Sequence, residues 1–468
     1  MLRSSGLQVR AGQAFLFLAD MFFLFLAIFL AMALRSSASF TFDGLERILR
    51  NFTGASLAVA LIYPLTHYVM GAYEHNTDFR NIKALVRIVV SVALSLGLLA
   101  VGYYFLPNWK FGRGTLLVQS AVFLLLTTST RIAYSYWHSK RTSARPTILV
   151  GVGEGSRLFL SALATDLASA RLKVVGILDS RPEIEATALE GHEVGRASTL
   201  KEVVARFDRP LVLMCDRDGW DAAVLRDALE CKVNGTEVQE LADLYQRATG
   251  KVPVAIVGEQ YFLFGPGFPA GRGGLHANFW RLFDIFVAAI GLLLSLPVQL
   301  LIALVILLVE GKPVFFVQTR LGLNERPFKL VKFRTMVRDA EKLTGAVWAS
   351  SNDPRVTRLG RFLRRTRLDE LPQLWNVIKG EMSVIGPRPE RPEFVEKLKA
   401  RIPFYSLRFS VPPGLTGWAQ VNYKYGATET DAMEKLQYEL YYVQQSSVLI
   451  NIVILLKTVQ TVLLKPGS

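Results

Sequence analysis

The chain has 468 residues, 51% of them hydrophobic, and a formal net charge of +15 at pH 7. That length allows two or three domains, and the apolar content argues against an ordinary soluble protein, so a membrane protein is expected. The positive charge predicts an anionic partner, which could be nucleic acid, anionic lipid or a phosphorylated substrate. Cys215 and Cys231 do not form a disulfide framework or a cysteine metal motif, and reduced thiols are expected.

Residues 1–140 contain four apolar stretches, each close to the roughly 20 residues that a helix needs to cross a bilayer. The stretches lie at 12–34, 52–72, 84–106 and 115–137. We therefore predict a bundle of four transmembrane helices. Arg80 and Lys83, between the second and third stretches, and Arg87, near the start of the third, favour a cytoplasmic N-terminus. After an even number of spans, the rest of the chain is then also cytoplasmic.

Residues 141–260 alternate β-rich runs with helical stretches, a pattern typical of parallel α/β domains. The β-rich runs are PTILVGVG at 146–153, LKVVGILD at 172–179 and RPLVLMCD at 209–216. A helix is expected over 156–170. We therefore predict a Rossmann-like middle domain in the cytoplasm.

A glycine turn, Gly151-x-Gly153-x-Gly155, follows the first of these strands. The dinucleotide-binding fingerprint places its third glycine three residues after the second, where Ser156 stands here. Asp179 lies at a suitable distance along the chain for a ribose contact. A tight strand-to-helix turn without a ligand explains the same residues, so nucleotide binding stays open and a regulatory or packing role is expected.

A Gly/Pro-rich linker is predicted at 261–278, because GPGFPAGRGG suits neither a helix nor a central strand. An uncharged apolar run follows at 285–309, with Ser295 and Pro297 near its middle. A straight helix of that length would reach roughly 37 Å and could cross a bilayer. Proline removes a backbone donor, so a break that returns the chain to the same side is the other possibility.

The run LVKFRTM at 330–336 places Lys332 and Arg334 at alternate positions of a β-like segment. Side chains at alternate strand positions share one face, and a pair of cations on one face suits a phosphate. A solvated strand face is the alternative for this pair taken alone.

Six arginines precede two adjacent acids, Asp369 and Glu370. They are Arg355, Arg358, Arg361, Arg364, Arg365 and Arg367. The spacing of Arg358, Arg361 and either Arg364 or Arg365 predicts one face of a helix. Ion pairing accounts for one or two of the cations, and the surplus is expected to keep both carboxylates ionised. Such carboxylates suit a nucleophile or a metal ligand better than a general acid.

The motif GPRPE at 386–390 holds Arg388 between two prolines, which favour an extended backbone. A guanidinium presented in this way could fork onto two phosphate oxygens. A simple surface turn is the alternative.

Three sequence blocks resemble the bacterial sugar transferase family, the polyprenyl-phosphate sugar-1-phosphate transferases that begin exopolysaccharide and O-antigen assembly. The blocks are KFRTM, NDPRVTRLGRFLRRTRLDELPQLWNVIKGEMSVIGPRPE and PGLTGWAQVNY. The resemblance covers about 279–468, and the whole layout is similar to that of the longer members. It implies a mainly helical monotopic catalytic domain with a re-entrant membrane helix that breaks at a Ser-Pro pair. Here one residue separates Ser295 from Pro297, which departs from that pattern.

The resemblance also implies a role for each site residue. Asp369 would attack the sugar-bearing phosphate of a UDP-sugar, release UMP and hold the phosphosugar covalently until a polyprenyl (undecaprenyl) phosphate accepts it. Glu370, with Asp369, would hold Mg²⁺. Arg364 and Arg388 would contact phosphates, and Lys332 matches the lysine of the family's KFR motif.

The same resemblance predicts a multi-pass protein of the bacterial inner membrane whose catalytic domain is cytoplasmic. The expected partners are a UDP-sugar, polyprenyl phosphate and the lipid bilayer, not nucleic acid, and a homodimer is expected from the longer relatives. The C-terminal run at 447–464 is interrupted by Asn451, Lys457 and Gln460. It predicts an amphipathic helix that rests on the membrane surface.

Two other functions stay open. A membrane-anchored nucleotide-sugar dehydratase or epimerase would need a Tyr-x-x-x-Lys pair after a cofactor loop. The pair Tyr136 and Lys140 has that spacing but precedes the glycine turn. A non-catalytic regulator of polysaccharide assembly would bind anionic lipid through its arginines and would need neither Mg²⁺ nor Asp369.

Overall fold

The computed structural model describes residues 11–35, 54–73, 82–105, 113–141, 144–165, 167, 172–181, 194–208, 210–217, 220–265, 275–338, 340, 353–423, 426 and 428–464. The chain divides into two compact units. The helical unit lies within 8–143, and the C-terminal unit contains 144–468. Each is described by itself.

Four helices are seen in the described residues of the helical unit, as predicted. They are α1 Ala11–Arg35, α2 Gly54–Val69, α3 Ile82–Phe105 and α4 Arg113–Arg141. Helices α1, α3 and α4 are long and apolar enough to cross a bilayer, whereas the apolar part of α2, Ser56–Val69, is shorter. Helix α2 ends before the predicted limit at 72, because Gly71 adopts a φ of 74° and closes the helix with a left-handed turn.

A buried ion pair ties the first and last helices of this unit together. Arg131 of α4 lies 2.7 Å from the Asp20 carboxylate of α1. Tyr73 and Thr127 each donate a further hydrogen bond of 2.7 Å to Asp20. Charged groups among apolar helices are unfavourable unless they are paired and hydrogen-bonded, and this pair meets both conditions.

The N-terminal half of the C-terminal unit is a five-stranded parallel sheet in the order β3-β2-β1-β4-β5, which confirms the α/β prediction. Its strands are β1 Arg145–Val150, β2 Leu172–Asp179, β3 Val194–Arg196, β4 Leu211–Met214 and β5 Glu237–Glu240. Its helices are α5 Glu154–Leu163, α6 Leu200–Ala205, α7 Ala222–Val233, α8 Leu241–Thr249 and α9 Glu259–Phe264. Helix α5 is shorter than the predicted 156–170. Cys215 and Cys231 are free and buried, as expected.

The rest of this unit is mainly helical, with two small sheets. Its helices are α10 Leu275–Val309, α11 Arg358–Thr366, α12 Gln373–Lys379, α13 Pro392–Lys399, α14 Trp418–Asn422, α15 Glu429–Gln445 and α16 Val448–Leu464. Strands β6 Phe315–Leu321 and β7 Pro327–Phe333 form an antiparallel hairpin, and β8 Ser383–Ile385 pairs in parallel with β9 Gly414–Thr416.

The segment after α8 belongs to the core of this second half. Val252, Val254 and Phe262 are buried in the same apolar cluster as Leu436 and Leu440 of α15. Within the C-terminal unit, the middle domain and the mainly helical part after residue 275 are therefore joined through a shared core. The predicted linker begins inside α9, and its residues 266–274 lie outside the described residues.

Helix α10 contains the predicted apolar run and begins ten residues before it, at Leu275. Pro297 lies inside the helix, which continues on both sides of it. The Ser295 hydroxyl donates to the Gly291 carbonyl at 2.6 Å and accepts a hydrogen bond from Gln299 at 2.8 Å. The predicted re-entrant break at Pro297 is not seen as an end of the helix, and the re-entrant path stays a prediction.

Helix α16 confirms the predicted C-terminal helix, but two of the polar residues that interrupt it face the protein. Asn451 is buried, and Lys457 donates to Asn422 Oδ1 at 2.7 Å. Ile452 is exposed on another side of the helix. The interruptions at Asn451 and Lys457 therefore reflect packing against the protein, and contact with the membrane surface stays a prediction.

Candidate active site

Lys332 lies near the end of the β6–β7 hairpin, which confirms the predicted β-like run around it. It stands opposite Phe316, and its Nζ lies 5.2 Å from the centre of that ring. Burial and the positive charge of Arg320 lower the pKa of Lys332 to about 8, while the negative charge of Asp369 opposes this change. Lys332 and Asp369 are therefore close enough to belong to one site.

Arg334 forms hydrogen bonds with the backbone that follows α10. Strand β7 ends at Phe333, so the predicted alternation does not reach Arg334. Its guanidinium is buried and donates to the carbonyls of Glu310 and Gly311 at 2.9 and 2.8 Å. Arg334 thus fastens the hairpin to the residues that follow α10, and a phosphate-binding role for it stays a prediction.

Helix α11 confirms the helical spacing predicted for Arg358, Arg361 and Arg364. Gly360 lets this helix approach the end of the hairpin, since a Cβ there would lie 2.0 Å from the Thr335 carbonyl oxygen. Arg364 Nε then donates to Thr335 Oγ1 at 2.9 Å. Close packing of α11 on the hairpin therefore orients Arg364.

Asp369 and Glu370 lie in a short 3-10 turn between α11 and α12. Arg367, with a φ of 58°, ends α11 in a left-handed conformation and turns the chain into this pair of acids. Asp369 is only 6% exposed. Arg388 donates to Glu370 Oε1 at 2.6 Å, which joins the GPRPE motif to the acids.

The two acids differ in their electrostatic surroundings. Burial and the adjacent charge of Glu370 raise the pKa of Asp369, although Lys332, Arg364 and Arg388 oppose the rise. Burial would also raise the pKa of Glu370, but the charge and hydrogen bond of Arg388 outweigh it and hold that pKa below its ordinary value. The sequence predicted that the surplus of cations would keep both carboxylates ionised. The cations bring only the pKa of Glu370 below its ordinary value, because Asp369 is buried beside another anion.

Comparison with known proteins gives a consistent result. The family described as bacterial sugar transferase matches residues 275–465. Exopolysaccharide production protein PSS of Rhizobium leguminosarum bv. phaseoli is 41% identical over 187 residues, which are 38% of this chain and 92% of that protein. The chain belongs to the bacterial sugar transferase family.

Two longer members of this sugar transferase family are also similar. UDP-N-acetylgalactosamine-undecaprenyl-phosphate N-acetylgalactosaminephosphotransferase of Aeromonas hydrophila is 36% identical over 266 residues, 56% of this chain. UDP-glucose:undecaprenyl-phosphate glucose-1-phosphate transferase of Escherichia coli (strain K12) is 44% identical over 197 residues, 42% of this chain. The matched part spans 60% of the first relative and 42% of the second.

The acids of this sugar transferase can be compared with what Mg²⁺ requires. Within the ranges that the structure describes, no group of three or more His, Cys, Asp or Glu side chains could hold a metal ion. Mg²⁺ commonly binds one or two carboxylates and takes its other oxygens from water and substrate phosphates. Asp369 and Glu370 therefore fit an ion that is shared with a diphosphate substrate.

The glycine turn of the middle domain holds a carboxylate of the chain itself. Asp216, which follows β4, accepts hydrogen bonds from the backbone N–H groups of Gly155 at 2.9 Å and Ser156 at 3.0 Å. A Cβ on Gly153 would lie 2.7 Å from Asp216 Oδ1. These amides begin helix α5, where a dinucleotide would place its phosphates. The glycines are therefore explained by the close approach of Asp216.

Asp179, the predicted ribose contact, is also engaged within the chain. It accepts a hydrogen bond of 2.7 Å from the Val152 N–H and forms an ion pair of 2.9 Å with Arg181. Together with Asp216, this arrangement favours the alternative in which the turn carries no ligand.

Three functional side chains escaped the sequence reasoning. Thr335 holds Arg364, Arg320 adds positive charge beside Lys332, and Arg408 donates to the Arg388 carbonyl. Thr335 belongs to the KFRTM block, but nothing in that block indicated that it would hold Arg364, and Arg320 stands in no distinctive pattern. Arg408 had a usable signal, because it is the one charge in the run FYSLRFSV, and a buried charge requires a partner.

Proposed function

We propose that this protein transfers a sugar-1-phosphate from a UDP-sugar to polyprenyl phosphate and releases UMP. The observation that carries the proposal is the buried Asp369 carboxylate, which lies beside the Glu370–Arg388 pair and within the field of Lys332 and Arg364. The names of two relatives specify phosphosugar transfer to undecaprenyl phosphate and support the proposal. The reaction would be the first membrane step of exopolysaccharide or O-antigen biosynthesis.

In the first step, an Asp369 oxygen attacks the phosphorus that carries the sugar. The bond from that phosphorus to the bridging oxygen breaks, UMP leaves with the electron pair, and a phospho-aspartyl sugar forms. In the second step, a polyprenyl phosphate oxygen attacks the same phosphorus and regenerates Asp369. Each step is an in-line displacement, and the two-step route predicts ping-pong kinetics.

The cations make the approach of one anion to another possible. Lys332, Arg364 and Arg388 surround the acids and would stabilise the negative charge that develops on the phosphoryl oxygens. Bound Mg²⁺ would supply further charge neutralisation and orient the diphosphate. Glu370, which Arg388 keeps ionised, would hold that ion together with Asp369.

Contacts of α10 support a re-entrant path that keeps this site on the cytoplasmic face of the inner membrane. Near its start, Arg281 donates to the Val377 and Ile378 carbonyls of α12, both at 2.6 Å. Near its end, Ile306 packs in one cluster with Leu363 of α11. A straight helix would separate Arg281 from Ile306 by about 37 Å. Helices α11 and α12 flank one short turn, so a bent α10 can contact both of them near its opposite ends more easily than a straight one.

The test uses the purified full-length protein with Mg²⁺, polyprenyl phosphate and a panel of UDP-sugars. We expect UMP release with at least one sugar and loss of at least 1000-fold, an order-of-magnitude figure for a nucleophile, in Asp369→Asn. Glu396→Gln, which neutralises an exposed acid of α13, is the matched control and should keep full activity.

The same assay separates the alternatives. Asp369→Asn protein that releases UMP at the wild-type rate would rule out the proposed nucleophile. A UDP-sugar that is converted without release of UMP would indicate a nucleotide-sugar-modifying enzyme. No consumption of any UDP-sugar would favour the non-catalytic regulator.

A further inference from the structure

Four carbonyl groups of the GPRPE motif, those of residues 387–390, accept hydrogen bonds from other parts of the chain. Pro387 O accepts from the Gly414 N–H at 2.8 Å, and Glu390 O accepts from the Leu321 N–H at 3.0 Å. Prolines 387 and 389 have no N–H of their own, so the carbonyls are the main means of fixing this segment. The two carbonyls between these ends accept from arginine side chains.

Those side chains are Arg320 and Arg408. Arg320 Nη1 donates to Pro389 O at 3.1 Å, and Arg408 Nη2 donates to Arg388 O at 2.9 Å. The Arg408 bond acts on the residue whose own guanidinium reaches Glu370. Arg408 therefore contacts the backbone of Arg388, and the side chain of Arg388 belongs to the proposed site.

Arg408 is itself rigidly held. Its side chain is 5% exposed and lies 2.8 Å from Glu439 of α15, which is equally buried. It also donates to the Tyr405 hydroxyl at 2.6 Å, and its guanidinium lies 5.0 Å from the centre of the Tyr405 ring. Arginine presents several N–H groups in a planar fork, so one side chain can bind Glu439 and the Arg388 carbonyl at once.

We infer that Arg408, anchored by Glu439, is a positioning residue that holds the Arg388 backbone so that the Arg388 guanidinium meets Glu370 and the substrate phosphate. This inference rests on the proposed transferase function. Small displacements of a charge-stabilising group reduce the rate strongly, because the group must match the developing charge. Arg408 acts through Arg388 and touches neither substrate nor the reacting atoms.

The test compares Arg408→Lys with wild type in the full-length protein. Lysine keeps a charge beside Glu439 but replaces the fork with a single ammonium, so Arg388 should lose its fixed position. We expect about a tenfold to hundredfold loss of kcat/KM for UMP release. The loss should fall mainly on kcat and little on KM, because a displaced Arg388 weakens the stabilisation of charge that develops in the transition state.

A double-mutant cycle with Arg388→Ala distinguishes positioning from a purely structural role. If Arg408 acts through Arg388, Arg408→Lys should reduce kcat/KM by less than about twofold once Arg388 is absent. Losses that multiply in the double variant, or an Arg408→Lys enzyme whose loss lies entirely in KM, would overturn the inference. Arg401→Met, which removes an exposed ion pair with Glu429, is the control and should retain activity.

Two further outcomes are informative. If Arg408→Lys fails to fold, Arg408→Met combined with Glu439→Leu removes the buried pair without leaving a lone charge and is carried through the same cycle. A wild-type protein that releases no UMP from any UDP-sugar would refute the proposed function and this inference with it. Multiplying losses with an active wild type would refute the inference alone.

Discussion

Asp369 and Glu370 are neighbours in the chain, yet burial raises the pKa of one and Arg388 lowers the pKa of the other. Pairs of acids whose environments move their pKa values apart commonly have different roles. The more basic carboxylate is the better nucleophile, because nucleophilicity follows basicity among similar oxygens. The carboxylate that stays ionised is the better metal ligand. One short turn can therefore supply both kinds of oxygen.

Lys332 leads to a prediction about the alkaline limb of the pH profile. Because its pKa is lowered to about 8, it loses its positive charge above that pH, and kcat/KM for UMP release should fall there. Arginine stays charged to much higher pH, so Lys332→Arg should shift the fall upward. The control is Lys329→Arg at an exposed position of β7, which should leave the fall near pH 8. A limb that stays near pH 8 in Lys332→Arg would contradict this role.

Residue types near the site were predictable, but the direction of each side chain was not. The acids and Arg388 stand in short motifs that limit their geometry, and the structure brings them together with Lys332. Arg334 shows the limit, because one residue decides whether it lies inside the strand or beyond its end. Arg408 depends on Glu439, which is 31 positions away, and such pairing follows only from the tertiary fold.

Among the elements, strands and helices with a clear period were predicted well. Strand β2 has the predicted limits, and β1, β4 and α16 lie within or close to theirs. The ends of α2 and α5 were predicted too late, because local turns close those helices while the sequence remains apolar or helix-compatible. Whether α10 crosses the membrane or returns to the same side depends on the residues that pack against its two ends. The sequence of α10 does not determine those contacts.

The path of α10 can be tested by labelling. Asn278 and Lys312 lie near its two ends, and each would be replaced by cysteine in a Cys215→Ser, Cys231→Ser background. A re-entrant helix predicts that a membrane-impermeant maleimide reaches both from the same side. Glu230→Cys on α7 provides the reference for the side that holds the middle domain. Labelling of Asn278→Cys and Lys312→Cys from opposite sides would show a crossing.

For the whole molecule, the boundary of the family match does not coincide with the boundary of the folded core. The match begins at residue 275, whereas Val252, Val254 and Phe262 already belong to the core of the transferase region. Trp418 of α14 also donates to the Gly250 carbonyl at 2.9 Å. The transferase region therefore includes a contribution from the end of the middle domain.

This shared core predicts how truncated chains behave. A chain that begins at Leu275 lacks four buried apolar side chains of this core, each contributing about 1.5–3 kcal/mol, whereas a chain that begins at Gly250 keeps them. In detergent, the shorter chain should unfold at least about 5 °C lower, measured by tryptophan fluorescence. Equal unfolding temperatures would show that the segment contributes nothing to the core. A chain that begins at Glu259 keeps Phe262 alone and should fall between the two.

Asp216 gives the middle domain a property that its sheet alone would not suggest. The amides that would bind a phosphate are occupied by the Asp216 carboxylate, which belongs to the same chain. The effective concentration of this internal ligand is constant and does not depend on the concentration of free nucleotides. Its conformation would then be uncoupled from the redox and energy state of the cell. In the proposed reaction, the rate would then depend on the supply of sugar donor and lipid acceptor.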